Sequence, residues 1–313
     1  MTSAEPKTRR RFPHLTSSAF EHPADRAALD AMKKIPLFDV VLRKFLELGL
    51  ERIYRIKLMG SAIHVTPKQC SKVYKLLKEA ADILDMHEPD LFLMGNPVAN
   101  AYTFGVERPF IVLQSGLVDM MTEEELMGVI GHELGHIKAG HVLYRSMAMI
   151  LAELARQFLG LGQVASVGLS IAMYDWSRKA ELTADRAELL VTQDVETCIR
   201  INMKLAGGSN AVYAQTDHDE FLRQADHYEE IDHTTLNKIY KLLNEVWLTH
   251  PVPVYRAKEI KLWSETKQYK EIMAGRYPTQ EPTDDGLRRC PHCDSKISPS
   301  FFFCPDCGKN ARI

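Results

Sequence analysis

Val129-Ile130-Gly131-His132-Glu133-Leu134-Gly135-His136-Ile137 is the stretch on which the reading of this chain turns. Thr122 lies upstream with Glu125 three residues on, the capping-box pattern, so a helix is expected to start at Thr122. Leu126, Val129 and Ile130 carry it into the histidines, and helical character persists to about residue 158. Two histidines four apart on a helix lie about 40° apart around its axis, so both rings reach one ion. Glu133 then stands beside that ion, placed to take a proton from water activated by the metal and to hand it to a leaving amine. The plain alternative is a solvated helix with a satisfied histidine pair. The apolar neighbours argue against it, because bare polar groups among them carry a desolvation cost.

Two histidines underfill a metal site, so a third ligand is needed. His141 is nearest in sequence. On a continuous helix it faces about 140° away from His136 and is expected to be structural or exposed. The longer pattern with a third histidine would need glycine at position 139 and histidine at position 142, where this chain has Ala139 and Val142. A second helix offers Glu181 and, four residues on, Asp185 on the same face. Glu181 is the candidate third ligand. Asp185 is the candidate acceptor for the free N–H of a ligand histidine. Leu182, Ala184, Ala187 and Leu190 give that helix a packed side, whereas an exposed Glu181 paired with Arg178 would be ordinary surface chemistry.

With both segments in view, the chain resembles the zinc metallopeptidases related to HtpX and the CAAX prenyl protease. Their paired HExxH and ExxxD signature falls on His132, Glu133, His136, Glu181 and Asp185. Asn100-Ala101-Tyr102 followed by Gly105, Ile111-Val112-Leu113 leading to Ser115-Gly116-Leu117, and His250-Pro251 with Arg256 extend the likeness over roughly residues 25 to 265. The resemblance implies zinc on His132, His136 and Glu181, Glu133 as base and acid, and Asp185 behind the ligands. It also implies that His250 and Arg256 orient the carboxylates or the oxyanion. The expected fold is α+β: the resemblance implies a mainly helical zincin-type (gluzincin) domain with a small sheet, to which the cysteines of the tail add a C-terminal zinc ribbon. Phe110, Ile111, Val112, Leu113 and Gln114 are the expected edge strand beside the metal, with Asn100, Ala101 and Tyr102 nearby. Such a strand binds an unfolded or extended polypeptide through its free backbone groups, and an internal core strand is the alternative.

The tail carries Cys290-Pro291-His292-Cys293 and Cys304-Pro305-Asp306-Cys307. Two CxxC pairs ten residues apart supply four thiolates, the ligand set of a closed structural zinc site. So short a segment cannot hold together by apolar burial, and metal binding should drive its folding. Two zinc ions are therefore expected, one catalytic and one structural. Phe301, Phe302 and Phe303 with the nearby basic residues fit a protein-docking ribbon better than a nucleic-acid platform.

The remaining signals set boundaries. Hydrophobic residues at 45% promise a substantial core, and a net charge of −2 gives no broad basic surface for nucleic acid. Four of the six cysteines cluster in the tail, which points to a reducing, cytoplasmic setting rather than a disulfide scaffold. Residues 157–174 lack charge but are diluted by glycine and serine, so a buried hairpin is expected, with peripheral membrane contact as the alternative. Helices are expected near 26–50, 67–84, 170–191, 192–205, 219–226, 234–248 and 255–274, and strands near 52–65, 91–94, 101–104 and 110–113. Residues 1–25 read as a flexible leader, 26–274 as the metallopeptidase domain, 275–287 as a linker and 288–313 as the ribbon. A zinc-ribbon scaffolding protein with a silent or regulated peptidase site is the competing function. Glu133 argues against it, since a purely structural site has no need of a base.

Overall fold

The computed structural model describes residues 8–34, 50–105, 108–148, 163–230, 252–279, 288–289 and 296–297. The helix-favouring patterns expected from the sequence mostly form. They are α1 (Pro23–Lys33), α3 (Ser71–Ile83), α5 (Glu123–Lys138), α6 (Gln163–Thr192), α7 (Val195–Gly207), α9 (His218–Glu230) and the pair α10 (Pro253–Glu265) and α11 (Lys267–Met273). Short helices α4 (Ser115–Met120) and α8 (Asn210–Tyr213) fill connections. At the start of α5, Glu125 N–H donates to Thr122 Oγ1 at 3.3 Å while Thr122 N–H donates to Glu125 Oε2 at 2.8 Å, so the capping box closes.

One expected strand is a helix. Residues 52–65 form α2 (Leu50–Ser61), and only β1 (Ile63–His64) is extended. The β-branched side chains suggested a strand, but tertiary packing selects a helical pair. Tyr54 lies against Phe104 with ring centroids 4.5 Å apart, and Leu58, four residues on, is buried. Ile53, Ile56 and Met59 stay exposed.

The sheet contains β1, β2 (Asp90–Met94), β3 (Ala101–Phe104) and β4 (Phe110–Gln114), in the order β1-β2-β4-β3. β4 runs parallel to β2 and antiparallel to β3, with Phe92 opposite Val112 and Ala101 opposite Leu113. The expected edge strand at Phe110–Gln114 is thus internal. Ile111 and Leu113 enter one core and Phe110 and Val112 the other, so both faces of β4 are covered as well as both its edges. The edges are β1 and β3, and β3 holds Ala101 and Tyr102 of the Asn100–Tyr102 segment.

Helix α5 lies along α6 at very short range because three glycines line its contact face. A methyl carbon on Gly128, Gly131 or Gly135 would sit 3.0 Å from Thr192, 2.7 Å from Val191 or 2.6 Å from Ala187, and the one on Gly128 also 2.6 Å from Ile201 of α7. The helix does not run on to residue 158. It ends at Lys138, and Gly140, with φ +78°, turns the chain into a separate helical segment at 142–148.

The leader expectation fails for residues 8–25. Phe12, Leu15 and Phe20 are buried, Leu15 bridges to Thr279, and the Phe12 ring meets Tyr277 at 5.9 Å. Arg9 bonds Glu79 at 2.8 Å and Glu124 at 2.5 Å. Residues 275–279, expected as linker, therefore pack on the N-terminal segment. Residues 163–174 of the uncharged run form the first turns of α6, and residues 157–162 lie outside the described set. No described helix is long and apolar enough to cross a membrane. In the ribbon range a two-strand ladder pairs Arg288–Arg289 with Lys296–Ile297. The four tail cysteines and His250, like the expected helix at 234–248, lie outside the described residues.

Candidate metal centre

Close packing of α5 on α6 brings His132, His136 and Glu181 together, with one donor atom from each within 4.8 Å of the others. His132 Nε2 lies 3.2 Å from His136 Nε2 and 3.3 Å from Glu181 Oε2, and His136 Nε2 lies 3.3 Å from Glu181 Oε1. All three residues are buried, Glu181 completely. Two ring nitrogens and a carboxylate facing one point inside a protein need a cation there, and nitrogen with carboxylate oxygen is a donor set suited to zinc. Arg145, from the 142–148 segment, stands in for such a cation. Its Nη1 lies 3.0 Å from His136 Nε2 and contacts Glu181 Oε1. The residues present fit zinc.

Protonation follows the same logic. Burial disfavours a charged His132, yet hydrogen bonds to Asp185 and Glu181 outweigh burial and push it up to about 10. Burial and the Arg145 guanidinium hold His136 well below the ordinary histidine value.

Behind His132, Nδ1 meets Asp185 Oδ1 at 3.1 Å. Arg256, from α10, clamps the same carboxylate: its Nε donates to Oδ2 at 2.9 Å and Nη2 contacts Oδ1. Burial opposes charge on Asp185, but Arg256 and His132 hold its pKa below the usual carboxylate value. Arg256 Nη1 also lies 3.7 Å from Glu181 Oε2. Arg256 is therefore packed against the carboxylates of Asp185 and Glu181.

A second donor set of His132, Asp185 and Glu188 lies on the opposite side of the His132 ring. There the Arg256 guanidinium already supplies a cation. Burial and the neighbouring Asp185 raise Glu188 to about 7, and its Oε1 has no partner among the described residues. The first set differs in drawing two imidazoles and one carboxylate towards each other, where the second has one imidazole and two carboxylates.

Glu133, between the two histidines on α5, is buried, and Thr103 Oγ1 donates to its Oε2 at 2.5 Å. The sequence reading missed Thr103. Strand alternation puts Ala101 and Thr103 on one face of β3, and that periodicity was the available signal. Asn100 accepts from Gln114 N–H at 3.0 Å, Ala101 is buried and Tyr102 is half-buried. Phe110, Ile111, Val112, Leu113 and Gln114 are all buried in β4. The reading also missed Arg145 and Glu188, which enter only through the α5 turn and the α6 face.

His141 is buried rather than turned away. Gly140 breaks the helix, and His141 Nδ1 comes within 3.0 Å of His136 Nδ1. Its Nε2 lies 2.9 Å from Asp25 on α1. Burial works against charge on Asp25, but His141, Thr183 and Trp176 hold its pKa below the usual value.

The description "Peptidase family M48" matches residues 67–264, more than half of the chain. The plastoglobule-localized metallopeptidase 48 of Arabidopsis thaliana is 36% identical over 84% of this chain and 77% of its own length. A protease HtpX homolog of Streptococcus uberis is 23% identical over 75% of this chain and 77% of its own. The crystal structure of S. mikatae Ste24p aligns at a TM-score of 0.38 and 15% identity, over 76% of this chain and 62% of that protein, less than two thirds of its length. The family match, the Arabidopsis relative and the buried His132–His136–Glu181 cluster agree: this chain belongs to peptidase family M48 and is a zinc metalloendopeptidase.

Proposed function

We propose that the chain hydrolyses peptide bonds in extended polypeptide segments, with His132, His136 and Glu181 as the zinc ligands and Glu133 as the group that moves the proton. Zinc bound there supplies Lewis-acid chemistry, lowering the pKa of water to about 7 and polarising a carbonyl. Glu133 takes the proton of the attacking water on a carboxylate oxygen and delivers it to the leaving nitrogen. Thr103 holds Oε2, and Oε1 is the oxygen proposed for that exchange. Asp185 and Arg256 keep the His132 ring fixed through its Nδ1 side. His250, outside the described residues, is proposed to join Arg256 in orienting the oxyanion.

The substrate strand pairs with the outer edge of β3, whose other edge is taken by β4. This favours unfolded or loop segments, because a folded strand already has its backbone partners. Cys290, Cys293, Cys304 and Cys307 hold a second, structural zinc, and the ribbon docks a protein partner. The clustered thiols and the unpaired Cys70 and Cys198 favour a reducing compartment.

The observation that carries the reading is the buried cluster of His132, His136 and Glu181, with Glu133 buried on the same helix as the two histidines. Cleavage of an unfolded protein by wild type and by Glu133→Gln tests it, with zinc content measured on both. Zinc content is expected to be equal and cleavage to fall about 10²- to 10⁴-fold. Equal cleavage by the two proteins rejects the role of Glu133.

A further inference from the structure

Asp25 lies outside residues 67–264, which the family description matches, yet its side chain reaches His141, the imidazole that packs against His136. It is completely buried and accepts three hydrogen bonds. Trp176 Nε1 donates to Oδ1 at 2.9 Å, and Thr183 Oγ1 donates to Oδ2 at 2.6 Å. His141 Nε2 reaches the same Oδ2 at 2.9 Å, and His141 Nδ1 faces His136 Nδ1 at 3.0 Å.

The proton positions in this chain follow from what each group is able to do. A carboxylate only accepts, so His141 Nε2 carries a hydrogen. Two ring nitrogens 3.0 Å apart share one hydrogen between them. Were it on His141, the remaining hydrogen of a neutral His136 would sit on Nε2. Arg145 Nη1 lies 3.0 Å from that Nε2, and a guanidinium has donors only. Two donors would then face each other. The hydrogen therefore belongs to His136 Nδ1, and His136 Nε2 presents its lone pair to the metal position. Both ends of the chain demand the same polarity.

We infer that Asp25 and His141 are positioning residues: together they fix the His136 tautomer that binds zinc. The inference rests on His136 being a zinc ligand. Asp185 serves His132 directly, whereas Asp25 acts through a second imidazole and comes from a segment N-terminal to the matched region.

Asp25→Asn is the sharp test. The Trp176 indole can only donate, so the amide oxygen must stay at the Oδ1 position and the NH₂ must take the Oδ2 position. That NH₂ donates to His141 Nε2. The chain then runs backwards and leaves the hydrogen on His136 Nε2. Zinc affinity of the histidine site, measured by chelator competition on the full chain, is expected to fall about 10- to 100-fold. In metal-free protein the ¹⁵N signal of His136 Nε2 should change from unprotonated to protonated character. His141→Gln, which keeps a donor towards Asp25 and an acceptor towards His136, should stay within about threefold of wild type, and His141→Leu should match Asp25→Asn.

His136→Ala separates the two readings. If it leaves zinc affinity unchanged, the ligand assignment fails and takes this inference with it. If it abolishes binding while Asp25→Asn binds within about twofold of wild type and keeps the His136 signal, the relay alone is overturned. Should Asp25→Asn not fold, the His141 pair decides, and equal affinity in Gln and Leu variants overturns the relay.

Discussion

Thr103 is the residue whose chemistry is most exposed to test without touching a metal ligand. Its hydroxyl is buried and bonds the carboxylate of Glu133, and also reaches the Glu133 carbonyl at 3.4 Å. Thr103→Val keeps the shape and removes the donor. The carboxylate stays in place but loses its fixed orientation, so kcat is expected to fall about tenfold, a little over 1 kcal/mol of barrier. KM and zinc content should hold, because the hydroxyl touches neither the edge of β3 nor a ligand. A loss of zinc with unchanged kcat per bound zinc would reject the orienting role. Residue by residue, the sequence exposed groups tied to a spacing rule: His132, Glu133, His136, Glu181 and Asp185 all follow helical periodicity. It hid those whose partners come from elsewhere. Thr103, Arg145, Glu188 and Asp25 look ordinary in one dimension, and only tertiary packing gives them their neighbours.

At the scale of elements, the centre depends on how closely α5 and α6 lie. A methyl group on Gly135 would meet the Ala187 methyl at 2.6 Å and the Ala184 backbone at 3.2 Å. Neither neighbour is a flexible side chain, so the helices themselves must part. Gly135→Ala gains about 1 kcal/mol of helix propensity, but overpacking costs about 1–3 kcal/mol, and the contact is short enough that the cost wins. The proposed ligands come from both helices, so zinc affinity should drop at least about tenfold along with stability. Gly60→Ala on α2 is the contrast. Nothing lies within 4 Å of the added carbon, and stability should rise by about 0.5–1 kcal/mol with zinc affinity unchanged. Thermal melts and chelator titrations on the two variants check both statements, and parallel behaviour would reject close packing as the source. The same geometry explains what element reading caught and missed. Amphipathic helices and the capping box were legible because the signal is local. The exchange of strand for helix at α2 and of edge for centre at β4 was not, because each depends on a partner distant in sequence.

Over the whole molecule, buried carboxylates tie the layers together, and their protonation links the fold to pH. Asp25 joins α1 to α6 and to the His141 turn. Glu125 joins the start of α5 to α7, where Lys204 Nζ bonds its Oε2 at 2.7 Å and also reaches the Met120 carbonyl. The N-terminal segment escaped the sequence reading because Phe12, Leu15 and Phe20 are spaced with no period and sit among polar residues and Pro13. Their burial shows only once α11 and residues 275–279 are in place. Burial alone would raise Glu125, but Lys204 and the Thr122 cap outweigh it and lower its pKa in the fold. A depressed folded pKa means that its contribution is complete above the unfolded value and disappears as pH falls through the folded value. Glu125→Gln strands Lys204 and should cost about 3 kcal/mol near neutrality. The gap between wild type and variant should hold down to about pH 4.5 and close below it. Urea unfolding of both proteins across that range, with zinc removed by chelator so that metal release does not intrude, measures the gap directly. Subtraction cancels histidine protonation common to the two. A gap that stays constant into acid, or widens, would reject the charged Glu125–Lys204 pair as a clamp between α5 and α7.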